Sequence, residues 1–374
     1  MSKILVAGDF GYRGRTQSMI REGKGQMLFS ALKDVIYSSD LSVLNLETPV
    51  GDVKHYINKC GPCLCADAVA LKEISQAGFS LVTLANNHLF DCGQFGVEKT
   101  VEACREYDIN FVGGGITFDD AICPYKSMVS GESVSIINVC ETEFSIANEK
   151  HGGAAPLDVV AVCRQILKLN ASSNVIVIVH GGHEYYQLPS TRMQQLYRFF
   201  VDMGAFAVIN HHQHCYSGYE IYNGRPIFYG LGNFIFDSAS GKRDSIWNYG
   251  YAVQLDTRDS KGFKIFPYVQ SNEEAGVRLM SNKELAEFDE NINKLNSIIS
   301  SPEDVKKAEK DYYSRMHTTS FLNPFYNGMT AKLYGKRWFP SLVSKKQRMY
   351  QLHYLQCESH RDIVINNLRN ILDL

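Results

Sequence analysis

Near-continuous runs of apolar residues recur along the first 240 or so positions of the chain, and most of them end in glycine or a polar residue. Runs without polar alternation are typical of strands that are buried on both faces of a sheet. They predict a core of buried strands. The stretches concerned are KILVAGD, LSVLNLE, FSLVTLANNH, INFVGGG, SVSIINVC, NVIVIVHGG, AFAVINHH and RPIFYGLGNFIF.

Patterns with helical spacing lie between several of these runs. DAVALKEISQAG and TRMQQLYRFFVDMG predict amphipathic helices, and each ends in a glycine, Gly78 or Gly204, that can serve as a C-cap. FGVEKTVEACREYD predicts a third helix. Because strands and helices alternate, the chain is predicted to form a layered α/β fold.

The pattern changes after about residue 250. YAVQLD and GFKIFPYVQ are short alternating stretches that predict an antiparallel sheet edge. Beyond Asn272 the spacing becomes helical, in ELAEFDENINKLNSII and in SPEDVKKAEKDYY, where Ser301 is a suitable N-cap before Pro302. We therefore divide the chain into a main domain, 1–271, and a helical C-terminal appendage, 272–374, with LNPFYNG as the main break in its helices.

Composition argues against several classes of protein. Of the 374 residues, 45% are hydrophobic and 21% are charged, which is ordinary for a globular protein, and the net charge of −2 argues against a nucleic-acid partner. No apolar run approaches the roughly 18 residues of a membrane span, and the N-terminal apolar stretch is too short for a signal peptide. We expect a cytoplasmic protein without a transmembrane segment, whose ten cysteines are reduced.

Charge is unevenly distributed near the C-terminus. From Tyr312 to Cys357 the chain has seven Lys or Arg residues and no Asp or Glu. The part of this stretch around Lys336, Arg337 and their neighbours Tyr334 and Trp338 could bind an acidic polymer, a lipid-linked precursor or a membrane surface. The alternative is an ordinary solvated helical surface.

Polar residues with metal-binding side chains follow one predicted strand after another. AVINHHQHCY is the densest example, with three histidines directly after an apolar run. In α/β sheets the functional crevice lies at the carboxyl ends of the strands, so residues placed there converge although they are distant in sequence. The residues at these strand ends are Asp9, Asn45, Glu47, Asn87, His88, His180, His212 and His214.

These side chains together suit a metal site. Carboxylates, carboxamide oxygens and imidazoles are ligands for divalent ions such as Mn, Fe, Zn or Mg, and two such ions could share an activated water. Each position alone could equally be a turn or capping residue. Their repetition on consecutive strand ends favours a common site with hydrolytic chemistry.

The motifs GDF, NLETP, LANNHLFDCG, VHGGHEY, NHHQH and FYGLGNFIFD, in this order, resemble those of the CapA family of capsule biosynthesis proteins linked to poly-gamma-glutamate. The resemblance runs from about residue 3 to about residue 240 and leaves the C-terminal part uncovered. It implies a calcineurin-like metallophosphoesterase fold, that is, a layered α-β-β-α sandwich. It also implies a part in capsule or surface-polysaccharide biosynthesis.

The resemblance also implies roles for single residues. Asp9 stands in the place of the first metal-ligand aspartate, Glu47 near that of the bridging carboxylate, and Asn45 beside it as a further candidate ligand. His88 matches the histidine that contacts the phosphoryl group or protonates the leaving oxygen, and Glu184 matches a family glutamate. The remaining implied ligands are Asn87, which also belongs to the implied catalytic set, His180, His212 and His214.

Two departures from the wider phosphoesterase pattern leave the number of ions, one or two, open. Phe10 and Gly11 follow Asp9 where the superfamily has one residue and then a histidine, so one metal position loses a ligand. The second motif, which normally ends in Gly-Asp, reads Asn45-Leu46-Glu47 here. Both departures are similar to the CapA pattern.

Several further residues are candidates for substrate binding. The segment GDFGYRGR could form a backbone nest with guanidinium groups for an anion, or a flexible surface turn. CGPCLC could hold zinc, but no second ligand cluster lies nearby in sequence. The candidates are Arg13, Arg15, Lys59, His211, which occupies a place usually held by glycine, and Asn233.

Two functions of different classes remain open. The first is a metal-dependent hydrolase of phosphoester or related anionic bonds, acting on an anionic small molecule or polymer in capsule biosynthesis. The second is a non-catalytic assembly or polymer-binding component of the capsule machinery that retains the fold. Amide-bond chemistry on glutamyl polymers is suggested by the family name alone, and the sequence has no ATP-binding signature that would make the chain a ligase by itself.

Overall fold

The protein is described by a computed structural model that covers residues 2–238, 245–259, 262–315 and 344–371. Within these ranges the strands are β1 Lys3–Gly11, β2 Leu41–Leu46, β3 Leu81–Thr83, β4 Asn110–Val112, β5 Gly114–Gly115, β6 Tyr125–Val129, β7 Glu132–Cys140, β8 Gly153–Ala154, β9 Asn174–His180, β10 Ala207–His211, β11 Tyr219–Tyr222, β12 Arg225–Phe228, β13 Asn233–Phe236, β14 Tyr249–Asp256, β15 Phe263–Gln270 and β16 Val277–Leu279.

The α-helices of the described ranges are α1 Gly14–Arg21, α2 Lys33–Tyr37, α3 Val69–Gln76, α4 Gly93–Glu106, α5 Phe118–Ala121, α6 Val159–Leu169, α7 Thr191–Asp202, α8 Asn282–Ile299, α9 Pro302–Arg315, α10 Lys345–Gln356 and α11 Glu358–Ile371. Short 3-10 helices occupy Gly25–Leu32, Val53–His55 and Ile246–Asn248. None of the helices in the described part of the chain combines the length and the apolar character needed to cross a bilayer.

Two mixed sheets form the centre of the protein. The first has the order β16-β15-β14-β1-β2-β3-β4, and β13 also pairs with β1. Its strands β1 to β4 run parallel, whereas β14 to β16 extend it in antiparallel fashion. The second sheet has the order β11-β12-β10-β9-β7-β6, with a parallel centre of β7, β9, β10 and β12.

One hydrophobic cluster joins the two sheets. It includes Phe10 and Val43 from the first sheet and Ile178 and Ile209 from the second, all fully buried. Helix α4 contacts β4, α6 contacts β9, and α7 contacts β10 and β12. The architecture is therefore the layered α-β-β-α sandwich that the family resemblance implied, with the strand ends of both sheets meeting along one edge.

The helices begin and end where local chemistry allows it. Helix α7 starts after Ser190, whose side chain accepts a hydrogen bond from the Met193 backbone, and it is followed by Gly204 with a φ of +107°. Helix α8 starts with a capping box between Ser281 and Glu284. The predicted helices at these positions are confirmed.

Two predictions about the elements need correction. The run RPIFYGLGNFIF forms two strands in different sheets, β12 and β13, because the chain turns through Gly232 at a φ of +77° and crosses the sandwich. The chain beyond Asn272 is not entirely helical, since β16 pairs with β15 at the edge of the first sheet. A strand of three residues is too short to show a period in the sequence.

The helical C-terminal region packs on the sandwich through several of its helices. Phe288, Ile292 and Ile299 of α8 belong to the main hydrophobic cluster, whereas Tyr354 and Val364 of α10 and α11 form a small separate one. The division of the chain at 271/272 stays a prediction. LNPFYNG and the basic stretch around Tyr334, Lys336, Arg337 and Trp338 lie outside the described residues.

Candidate metal centre

Asp9 lies near the carboxyl end of β1, and the register of the sheet determines which residues lie beside it. Asp9 lies opposite Asn45 of β2 and Asn233 of β13, and the pairing of β1 is irregular at this point. The Asn45 amide donates to Asp9 Oδ1 at 2.7 Å and its nitrogen lies 3.4 Å from His180 Nδ1, while its oxygen accepts from Thr83. In this orientation Asn45 positions the Asp9 and His180 side chains, and its role as a ligand stays a prediction.

Glu47 is the most unusual group of the centre. Its side chain is fully buried directly after β2, and neither carboxylate oxygen has a hydrogen-bond partner among the described residues. Burial raises the pKa of Glu47 well above its usual range, and the negative charge of Asp9 raises it further. A buried carboxylate without a partner is costly, so this position calls for a cation.

His214 completes a three-residue donor group with Asp9 and Glu47. Single donor atoms of the three lie within 4.8 Å of one another. His214 Nε2 is 3.6 Å from Glu47 Oε1, and its Nδ1 is 2.9 Å from the side-chain oxygen of Asn233. Asn233 also donates to the His214 carbonyl, so it fixes the position of this imidazole.

His180, His212 and Asn87 form a second donor group beside the first. His180 Nε2 lies 3.1 Å from His212 Nδ1 and 3.2 Å from Asn87 Oδ1, and the His212 backbone donates to Asp9 Oδ2. Burial lowers the pKa of both histidines, which favours the neutral form of the ring that binds metals. The two groups together fit one or two divalent ions.

The turn that carries these histidines is conformationally strained. His212 and His214 have φ angles of +91° and +55°, in the left-handed region that L-residues other than glycine rarely adopt. Such a conformation persists only where the surroundings fix it, and it is common at functional sites. Here it accompanies a His214 imidazole that lies against Asp9 and Glu47 and a His212 imidazole that lies against His180.

His88 lies between the donor groups and the cavity, and its ring is oriented by Asp91. Its Nδ1 is 2.6 Å from Asp91 Oδ2, and Asp91 also forms a buried ion pair with Lys59. The other ring nitrogen lies 3.9 Å from Glu47 Oε1. Burial, followed by the positive charge of Lys59, lowers the pKa of His88 to about 4.

A cavity of about 500 Å³ opens above the donor groups. Arg13, Lys59 and Glu184, all predicted from the sequence, lie on its wall beside Asn87, His88 and His214. A cavity of this size with two cationic side chains suits a small anionic group or the end of a polymer.

Two predicted substrate-binding residues are not brought to this cavity. Arg15 contacts Asp237, at 3.0 Å, and the carbonyl oxygens of 271–273, and Asp237 also accepts from the Arg15 backbone amide. His211 is buried and its Nε2 lies 3.1 Å from the Ala7 carbonyl oxygen, between the two sheets. Both therefore hold the scaffold together, and a contact of either with substrate has no support in this geometry.

The far wall of the cavity was not predicted. It comes from Tyr350, His353, Tyr354 and His360 of α10 and α11, together with Glu143, which follows β7. Glu143 could have been found, because NVCETE places two glutamates directly after a predicted strand. The helices carry no comparable sequence signal, and the family resemblance ends before them.

The two packed sheets and the helices that cover them define the class of the protein, a layered α/β protein with a polar donor set at the strand ends. Residues 3–238 match the family described as "Bacterial capsule synthesis protein PGA_cap". The chain belongs to this family, which confirms the resemblance that the sequence motifs indicated.

Known proteins similar to the chain have names of the same kind. It is 29% identical to "Capsule biosynthesis protein CapA" of Bacillus anthracis over 284 residues, which are 73% of this chain and 68% of that protein. It is 29% identical to "PGA biosynthesis protein CapA" of Bacillus subtilis (strain 168) over 243 residues, 62% of this chain and 63% of that protein. The chain thus spans about two thirds of the length of these relatives.

Among solved structures, a 5'-nucleotidase from Candida albicans SC5314 is similar with a TM-score of 0.40 and 9% identity. The similarity covers 83% of this chain and 58% of the nucleotidase. A hypothetical protein from Thermus thermophilus has a TM-score of 0.44 and 17% identity, over 71% of this chain and 98% of that protein.

Proposed function

We propose that the protein is a metal-dependent hydrolase of phosphoester or related anionic bonds that acts in capsule or surface-polymer biosynthesis. The observation that carries the proposal is Glu47, a fully buried carboxylate without a hydrogen-bond partner among the described residues, which faces Asp9 and His214. Two acidic groups and an imidazole in this arrangement need a cation to be stable together. The proposal extends to two ions, with His180, His212 and Asn87 around the second.

A divalent ion bound by these residues would supply Lewis-acid polarisation of an anionic substrate and of a water molecule. The chain's own residues would do the rest. Asn233 fixes the position of the His214 ring. Asn45 fixes the side chain of Asp9, which lies opposite it in the pairing of β1 with β2. Such preorganisation is the usual source of rate in hydrolytic sites, because nothing has to rearrange when charge develops.

His88 is proposed to protonate the departing oxygen, because an anionic substrate beside Nε2 would raise its pKa, which burial and Lys59 otherwise lower. Its Nδ1 is engaged with Asp91, so Nε2 is the nitrogen available to the cavity. Lys59 and Arg13 on the cavity wall would hold the anionic group of the substrate beside it. Glu184 lies on the same wall and is proposed to contact the attacking water or the substrate.

The biological setting of the proposal comes from the family. The names of the two CapA relatives assign those proteins to capsule and PGA biosynthesis, and we extend that setting to this chain. An anionic polymer, or a small anionic precursor of one, is the proposed substrate, and the capsule assembly machinery is a proposed partner. A cytoplasmic location stays a prediction.

The experiment that tests the proposal combines metal analysis with hydrolysis of an aryl phosphate series. The full chain is purified, stripped of metal, reloaded with Mn, Zn or Mg, and assayed. We expect metal-dependent hydrolysis that falls by about 100-fold or more in His88→Ala and in His212→Ala. His55→Ala is the matched control, since His55 is exposed and stacks on Phe95 away from the cavity.

Activity that survives both substitutions, or that does not depend on metal, would overturn the proposal. Absence of hydrolysis together with metal-independent binding of an anionic polymer would favour the assembly function instead. The two outcomes are separated by measuring hydrolysis and polymer binding on the same metal-free and metal-loaded samples.

A further inference from the structure

A second group of metal-binding side chains lies at the far wall of the cavity, outside the strand-end centre. Single donor atoms of Glu143, Cys357 and His360 lie within 4.8 Å of one another. Cys357 lies between α10 and α11, and Glu143 lies three residues beyond the end of β7. The group therefore joins the sandwich to the two C-terminal helices.

The backbone on both sides of this group is fixed by buried polar contacts. Glu141 accepts hydrogen bonds from Arg192 at 2.6 Å and from the Ser359 hydroxyl at 2.6 Å. The Thr142 amide donates to Glu358 at 2.9 Å, in the opposite direction. Because residues 141–142 are held against residues 358–359, the positions of Glu143, Cys357 and His360 are set by the packing of the fold.

An unpartnered imidazole points to a ligand at the same place. His353 is 8% exposed, and its buried Nδ1 has no hydrogen-bond partner in the described part of the chain. This nitrogen lies 3.8 Å from Glu143 Oε2, and the His353 ring lies against that of His360 with centroids 4.4 Å apart. A buried polar atom without a partner requires an explanation, and coordination of a metal ion by this nitrogen would provide one.

The type of donor selects the type of ion. Thiolate and imidazole are ligands that zinc and similar borderline ions prefer, whereas magnesium takes oxygen ligands almost exclusively. The strand-end centre contains no cysteine among its described donors, so a cysteine ligand also distinguishes the two sites chemically. Four protein donors without an open position are typical of a structural zinc site.

We propose that Glu143, Cys357 and His360, with His353 as the fourth donor, bind a zinc-type divalent ion that fastens α10 and α11 to the rim of the cavity. Binding converts the Cys357 thiol to a thiolate, and its proton is released to solvent. We call this the thiolate site. It does not depend on the proposed hydrolase activity, because its part is to hold the cavity wall.

Cobalt substitution tests the proposal directly. Metal-free full-length protein is titrated with Co²⁺, and a thiolate-to-cobalt charge-transfer band is expected in the wild type. The band should disappear in Cys357→Ser and persist in Glu47→Gln, which alters only the strand-end centre. Cys60→Ser is the matched control, because Cys60 lines the same cavity but lies outside the thiolate site.

The metal stoichiometry gives a second, independent measurement. With excess Zn²⁺ removed by gel filtration, wild type is expected to retain one more equivalent of zinc than Cys357→Ser and than His360→Ala. A wild-type protein without a thiolate-to-cobalt band would overturn the proposal, and this result needs no folded variant. A band that survives Cys357→Ser, or that is lost in Cys60→Ser, would overturn it as well.

Discussion

The two walls of the cavity are held in place by different forces. The strand-end centre is carried by β1, β2, β9 and β10, whose apolar residues are almost completely buried in one core. The wall made by α10 and α11 has a small apolar cluster of its own around Tyr354 and Val364. Its main attachment is a polar network of Glu141, Arg192 and the residues that they contact in α11.

Because of this difference, the residues proposed to carry out the reaction are held separately from the residues that shape the entrance to the cavity. Strand ends in a packed core hold side chains within narrow limits, which a metal centre requires. A wall that is held by ion pairs and hydrogen bonds can be altered without disturbing that core. We therefore expect substitutions in the first region to remove activity and substitutions in the second to change stability and substrate affinity.

The largest effect is expected at Glu47. Glu47→Gln should lower the proposed metal-dependent hydrolysis by about 1,000-fold, because it removes the carboxylate that faces both Asp9 and His214. The same substitution should raise the thermal midpoint of the metal-free protein, since Glu47 must take up a proton to be buried there and glutamine need not. Aryl phosphate assays and calorimetry on the same samples check both results. A fall in activity together with a fall in metal-free stability would contradict this account of Glu47.

Arg192→Met should cost about 3 to 5 kcal/mol of stability, because it leaves the buried Glu141 carboxylate without its cation. Arg192 also pairs with Asp362 at 2.8 Å, so the variant should expose α10 and α11 to proteolysis. Urea unfolding and limited trypsin digestion measure the two effects. Arg198→Met is the control on the same helix, because Arg198 pairs with Glu220 and not with α11. Equal digestion of both variants would mean that Arg192 does not anchor the wall.

Acidification should destabilise the region where α9 meets the sandwich. His183 is buried, its Nε2 is 3.1 Å from the Tyr313 hydroxyl, and burial lowers its pKa from 6.5 to about 4. The unfolded chain therefore binds a proton at this residue between pH 6.5 and 4 that the folded protein does not bind. Stability falls as the pH falls through this window, by up to about 3 kcal/mol from His183 alone.

His183→Gln checks this contribution, since glutamine cannot be protonated in that range. The slope of unfolding free energy against pH should be smaller for the variant than for wild type between pH 6.5 and 4. His55→Gln is the control, because His55 is exposed. An unchanged slope in His183→Gln would show that the histidine is not buried in neutral form.

The smallest effect is expected at Tyr350, on the wall made by α10. Tyr350→Ala enlarges the cavity opposite Lys59 and Arg13 without touching the donor groups. It should raise KM for an aryl phosphate by a few-fold and leave kcat within about two-fold, because the lost contacts bind the ground state and the transition state equally. A large loss of kcat instead would place α10 within the reacting centre.

The sequence predicted the strand-end centre better than the wall. Parallel strands that end at one edge bring Asp9, Glu47 and His214 together whatever their separation in sequence, so a list of strand ends was sufficient. The same rule applied to β7 would have pointed to Glu143. The contact of Arg15 with Asp237 could not be predicted, because a solvated arginine and one bound to a distant carboxylate have the same sequence context.

No local pattern could have placed the C-terminal helices. Their position depends on Glu141 and Arg192, which are far from α11 in sequence, and buried ion pairs of this kind have no periodic signature. The apolar spacing of α8 did predict a packed helix, since Phe288 and Ile292 contact the main core. Helices attached by polar side chains are therefore the part of such a fold that sequence reasoning misses.

The separation of Asp9 from His360 along the chain has a consequence for biogenesis. During translation the strand-end donors emerge from the ribosome well before α10 and α11 do. If the sandwich folds before these helices are made, the carboxylates and imidazoles of the strand-end centre are exposed to the surrounding solution. An ion can enter from that solution first, and α10 and α11, which are synthesised later, then shape the entrance around it.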